Sequence, residues 1–139
     1  AVVAPGREPD ILPRVLDGDD LGTLFVPGDG VLSARKHWIA YGAKPAGRLI
    51  VDDGAARALR ELGKSLLPAG ITGVEGVFDL GDTVSVVIGA SGVELARGLV
   101  AYPADELRKI SGLQTAAIEA RLGYKGLDEA IHRDDLVLL

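Results

Sequence analysis

Gly47-Arg48-Leu49-Ile50-Val51-Asp52-Asp53-Gly54-Ala55-Ala56 decides how the rest of the chain is to be read. Arg48 to Val51 is a short apolar strand, and Asp52-Asp53-Gly54 turns it straight into a helix. The spacing predicts that helix over Ala55 to Leu62, with Asp53 as its N-cap because a carboxylate there accepts from the orphan amides of the first turn. Ala55, Ala58, Leu59 and Leu62 form one apolar face, while Arg57, Arg60 and Lys64 follow the other at spacings of three and four. Gly63 suits the left-handed position after a helix end.

Downstream the pattern changes to short strands. Ser65 to Leu67 and Ile71 to Val77 come first, then Thr83 to Ile88, in which Val84, Val86 and Ile88 alternate with Thr83, Ser85 and Val87. Gly89 to Gly92 reads as a hairpin turn, and Val93 to Tyr102 as the next strand, broken near Arg97-Gly98. Pro103 to Ile110 and Gln114 to Leu122 read as helices, and Leu136 to Leu139 as a last strand. Five or six short strands with brief helices predict a small mixed barrel, because closure removes exposed sheet edges.

Upstream, residues 27–46 read as a connector punctuated by Pro27, Gly28, Gly30, Gly42 and Pro45, with helical turns over Ser33 to Tyr41. Trp38 and Ile39 are available to pin it onto a neighbouring domain. Residues 1–26 read as strand, helix, strand: Ala1 to Ala4, a helix capped by Asp10 and carrying Ile11, Leu12, Val15 and Leu16, then Leu21 to Val26. So small a piece cannot bury both faces of its strands, so it reads as the tail of a larger α/β domain.

Composition sets the outer limits. Of 139 residues, 47% are hydrophobic and 25% charged, which suits a packed core. Nineteen glycines recur at intervals rather than in a cluster, as turns between short strands require. The absence of cysteine excludes disulfides and thiolate chemistry, and two histidines make a poor zinc site. Apolar runs are too short to span a membrane, and with no leader pattern the expectation is a cytoplasmic location. The net charge is −5. Its acidity is concentrated in residues 1–26 and 126–139, which argues against general binding of nucleic acid.

The order of motifs resembles a known family. Gly47 to Ala56, then Gly63-Lys64-Ser65-Leu66-Leu67-Pro68-Ala69-Gly70-Ile71, Phe78 to Val84 and Ala96-Arg97-Gly98 resemble a PUA domain. Leu21-Gly22-Thr23-Leu24-Phe25 looks like the closing strand of an amino-acid-kinase domain. Leu122-Gly123-Tyr124 and Ile131-His132-Arg133-Asp134-Asp135-Leu136-Val137-Leu138 resemble the end of gamma-glutamyl kinases. The resemblance implies a mixed α/β, mainly β fold: a PUA-like pseudo-barrel over 47–125, preceded by a β-α-β remnant of the kinase domain (1–26) and a linker (27–46), and followed by a terminal strand (126–139). It further implies a parent enzyme that phosphorylates the side-chain carboxylate of glutamate with ATP and magnesium, opening proline biosynthesis. The substrate and nucleotide residues of that family belong upstream of residue 1, so no catalytic or metal-binding residue is carried over. The isolated chain is expected to be inactive and to hold no cofactor.

Several local motifs have plainer readings. His132-Arg133-Asp134 imitates a protein-kinase catalytic loop, but position 139 is Leu where that loop needs a metal-binding Asn. Gly28-Asp29-Gly30 with Ser33 lacks the third glycine of a dinucleotide fingerprint and reads as an interdomain turn. Asp52 and Asp53 do not make an oxygen cage by themselves. Trp38 and Tyr41 read as an anchor rather than as stacking platforms for bases. The candidates for RNA contact are Arg57, Arg60, Gly63, Lys64, Ser65 and Gly70: in PUA domains this helix and the strand after it form the RNA-facing side, where glycines admit close backbone approach. The expected partners are the chain's own kinase domain and other subunits of the parent, including other copies of the same chain, with RNA as the alternative.

Overall fold

The computed structural model describes residues 2–7, 9–25 and 34–139. The chain divides into two compact units, residues 1–31 and 32–139.

In the first unit, β1 (Val2–Val3) pairs with β2 (Thr23–Leu24), and α1 (Ile11–Leu16) lies between them in sequence. The pairing is antiparallel, with Val2 opposite Leu24 and Val3 opposite Thr23. The strand expected over 21–26 is therefore a two-residue ladder, and Val26 lies outside the described residues. Asp10 precedes α1 in left-handed conformation, φ 55°, and its side chain makes no capping bond, so the expected cap is not formed. Val2, Val3, Leu12, Leu16, Leu24 and Phe25 all remain exposed.

The second unit opens with the helical turn α2 (Ala34–His37), which widens into a π-type turn at Trp38–Gly42. A five-stranded sheet follows: β3 (Gly47–Val51), then, after helix α3 (Asp53–Leu62), β4 (Ile71–Gly76), β5 (Thr83–Ile88), β6 (Val93–Leu99) and, after helices α4 (Ala104–Ile110) and α5 (Thr115–Leu122), β7 (Leu136–Leu138). The spatial order is β4-β3-β5-β6-β7, with β3 and β5 parallel and every other neighbouring pair antiparallel. Strand register explains the two faces. Leu49, Val86 and Ala96 align across β3, β5 and β6, and all three are buried in the main core. One residue earlier or later, Glu75, Arg48, Ser85, Arg97 and Val137 line up across all five strands, a largely polar row on the other face. The simple alternation expected for β5 fails because the strand is central: Val84, Val86 and Val87 are all buried.

The irregularity expected at Arg97-Gly98 lies instead at Leu95, where the β5–β6 register slips between Val86 and Val87. The extra residue buries both Leu95 and Ala96. Arg97 and Gly98 are regularly paired with Ser85 and Val84.

The helices complete the core. Leu59 of α3, Leu107 and Ile110 of α4 and Ile118 of α5 are buried against it. The Tyr102 hydroxyl donates to the Leu127 carbonyl, and the Tyr124 hydroxyl donates to Glu106 at 2.5 Å. That bond to a carboxylate pushes the Tyr124 phenol up to about 12. Outside the sheet, Leu66 pairs with Ile131: the Leu66 amide donates to the Ile131 carbonyl at 2.9 Å, and the Ala130 amide donates to the Leu66 carbonyl at 2.8 Å. The strand expected over Ser65 to Leu67 is only this single bridge, and through it and β7 residues 130–138 are stitched to both the segment after α3 and β6.

Candidate functional site

The strand-to-helix turn at Asp52 organises one side of the second unit. Asp52 has extended backbone, and its Oδ1 accepts from the Ala55 amide at 2.7 Å. The cap is therefore Asp52 rather than Asp53, which is the first helical residue and places its charge near the helix's positive end. The apolar face shifts with it: Ala56 and Leu59 are buried, while Leu62 is 62% exposed. Gly63 ends α3 in left-handed conformation at φ 55°.

The six residues expected to contact RNA separate into two groups. Arg57 and Arg60 lie exposed on α3. Gly63, Lys64, Ser65 and Gly70 line clefts beside the helix. A cleft of about 350 Å³ runs between the start of α3 and the segment that follows the helix, lined by Asp52, Gly54, Lys64, Ser65, Leu67 and Gly70 among others. Gly70 has a packing reason to be glycine: a Cβ there would stand 2.5 Å from the Ala55 Cβ. Ser65 is already engaged, since its hydroxyl accepts from the Arg133 amide at 3.0 Å.

On the other side of Lys64 lies a second cleft, of about 440 Å³. It is lined by the charged residues Lys36, Lys64, Arg133 and Asp134 and by the apolar Leu59, Leu136, Val137 and Leu138. No sequence signal joined these cations, because they come from α2, the end of α3 and the turn before β7. What brings Lys36 there is the docking of residues 34–42. Ile39 and Ala40 are buried in a small cluster with Val137 and Leu99. Arg35 pairs with Asp135 at 2.6 Å, and the Lys36 ammonium donates to the Arg133 carbonyl at 3.5 Å. Arg97 donates through Nη1 to the Ala40 carbonyl at 2.7 Å, and through Nε and Nη2 to Glu94 at 2.8 and 3.2 Å. Ser85 also donates to Glu94. The Arg97 bond, despite partial burial, holds the Glu94 carboxyl below its ordinary range.

Trp38, named beside Ile39 as an anchor, is 52% exposed, and Tyr41 is 69% exposed. Within this unit Ile39 is the pin. The Gly28-Asp29-Gly30 motif and Ser33 lie outside the described residues. Among the described residues, no group of three or more histidines and acids converges to hold a metal, and no helix is long and apolar enough to cross a membrane.

The family model described as PUA domain matches residues 47–122, more than half of the chain. The chain belongs to the PUA domain family. Over nearly its whole length it is also similar to glutamate 5-kinases. It is 49% identical over 138 residues to that of Trichlorobacter lovleyi and 51% identical over 138 residues to that of Syntrophus aciditrophicus, covering 99% of this chain in each case. It is 53% identical over 134 residues to that of Geobacter sulfurreducens, covering 96% of this chain. The chain spans only 36% of the length of each of these relatives, at the carboxy-terminal end. Two solved structures are also similar. A PUA domain of Aeropyrum pernix K1, in a tartrate complex, has 27% identity and a TM-score of 0.49, over 69% of this chain and 46% of that one. A conserved PUA domain protein of Thermoplasma acidophilum has 19% identity and a TM-score of 0.43, over 68% of this chain and 52% of that one.

Proposed function

We propose that this chain is the accessory, regulatory module of a cytoplasmic glutamate 5-kinase, and that it acts through its own kinase domain and neighbouring subunits. The parent enzyme binds ATP and magnesium and phosphorylates L-glutamate to L-glutamyl 5-phosphate for proline biosynthesis. The observation that carries this reading is the similarity of 49–53% to glutamate 5-kinases across 96–99% of the chain. The exposed apolar residues of β1, α1 and β2 and the acidic charge of residues 1–26 favour a protein neighbour over a phosphate backbone. The chain alone transfers no phosphoryl group. The test is removal of residues 47–139 from the parent kinase: assembly state, kinetics or feedback response should change, and retention of all three would defeat the reading.

RNA recognition is the second reading, favoured by one observation: Lys64, Ser65 and Gly70 share a cleft with the capped start of α3. Arg57 and Arg60 on the exposed side of the helix would add phosphate contacts. It predicts binding of structured RNA that weakens with salt and is lost on Arg57→Glu and Lys64→Glu. A flat titration at low salt would remove it.

A further inference from the structure

The geometry points to a phosphoryl-binding site between the docked linker and the terminal strand, built from Lys36, Lys64 and Arg133. Three features carry it. The cations reach one cleft of about 440 Å³ from three separate parts of the chain, although the net charge is −5. The lining also includes the buried apolar side chains of Leu59, Leu136 and Val137, which lower the local polarity around a bound anion. Finally, Asp135, next in sequence to the cleft residue Asp134, is already paired with Arg35 at 2.6 Å.

The chemistry suits a group with several oxygens in tetrahedral array. The guanidinium of Arg133 presents forked donors, and lysine ammoniums act as point charges on the remaining oxygens. Lys36 contributes chiefly its charge, since its ammonium also reaches the Arg133 carbonyl. Gly63, beside Lys64, has nothing within 4 Å of where a side chain would stand, so the approach is open. Asp134 opposes the anion; its carboxylate stands 3.7 Å from Arg133 Nε and 3.5 Å from His132 Nδ1. The site is independent of the accessory-module reading. It also differs from the exposed face of α3, because Arg57 and Arg60 take no part in it.

The experiment is a pair of titrations on the full chain followed by amide chemical shifts, one with inorganic phosphate and one with a short RNA hairpin. Lys36→Gln, Lys64→Gln and Arg133→Gln should each weaken binding roughly fivefold, as loss of one exposed charge contact does. Asp134→Asn should tighten it by a similar factor, and Lys44→Gln, outside the cleft, should leave it unchanged. Saturable shifts with phosphate that follow this order support the site with a free phosphoryl ligand. Shifts with the hairpin alone, in the same order, support it with a phosphodiester as the source. Shifts in neither titration, or shifts indifferent to all four cleft substitutions, would overturn it. Because Asp134→Asn predicts a gain, unfolding cannot imitate the expected pattern.

Discussion

Arg97 Nη1 donates to the Ala40 carbonyl at 2.7 Å, tying a side chain of β6 to the backbone of the turn that leads into the sheet. The same guanidinium is held in place by Glu94, so the tie is preset rather than formed at the end of a freely rotating side chain. Ile39 adds a fully buried side chain, worth about 2 kcal/mol by area. Residues 34–42 therefore behave as part of the second unit and not as a slack tether.

Arg97→Met should release this turn. Loss of a charged hydrogen-bond network of this kind costs about 2 kcal/mol. The expected result is a lower thermal midpoint together with faster amide exchange over residues 38–43, with α4 and α5 unaffected. Unchanged exchange in the turn would show that Ile39 alone holds it.

The Glu94 carboxyl gives the same network a pH dependence. Its folded pKa lies below the unfolded one, so its contribution is present above the unfolded pKa and is lost as pH falls through that value towards the folded one. Thermal midpoints measured from pH 7 down to pH 3 should fall less steeply in Glu94→Gln than in the parent chain. The two curves should converge at the acid end.

Capping of α3 can be assigned by two substitutions. Asp52→Ala removes the acceptor for the Ala55 amide and should cost about 1 kcal/mol in denaturant unfolding. Asp53→Ala loses only a charge near the helix start and should cost about 0.5 kcal/mol or less. Equal losses would mean that both carboxylates share the cap.

Gly70→Ala should destabilise the unit by about 1–3 kcal/mol, because the added methyl meets Ala55 at 2.5 Å and must push α3 outward. The double variant Gly70→Ala with Ala55→Gly should recover part of that loss. Urea midpoints for the two single variants and the double close the cycle.

The strands and helices of the second unit were legible because their signals are local. Apolar runs between glycines mark β3, β5 and β6, and helical spacing marks α3, α4 and α5. Adjacent acids at Asp52 and Asp53 left the cap ambiguous by one residue, since either side chain has the right chemistry and only the backbone conformation chooses. Trp38 and Ile39 read together as pins, and local pattern could not show that Ile39 packs within this unit, because its partners Val137 and Leu99 lie far along the chain. The Lys36, Lys64 and Arg133 cleft was invisible for the same reason. Each cation reads alone as a solvated surface group, and only the stitching of residues 130–138 to Leu66 and β6 brings them together. Of the RNA candidates, Arg57 and Arg60 are both exposed on α3, whereas Lys64 borders both clefts, which helical spacing gave no hint of.

The Leu66–Ile131 pairing also bears on how the molecule comes to be folded. Both partners are core residues, and each depends on a segment most of the unit's length away. Closing so long a loop is entropically slow, and the reward arrives only when β7 docks as well. Until residues 130–138 dock, Leu66 and Gly98 lack the Ile131 contacts that cover them in the folded unit. The pairing makes the order of the segment after α3 depend on residues 130–138, so losing those residues would be felt beyond the sheet edge that β7 occupies.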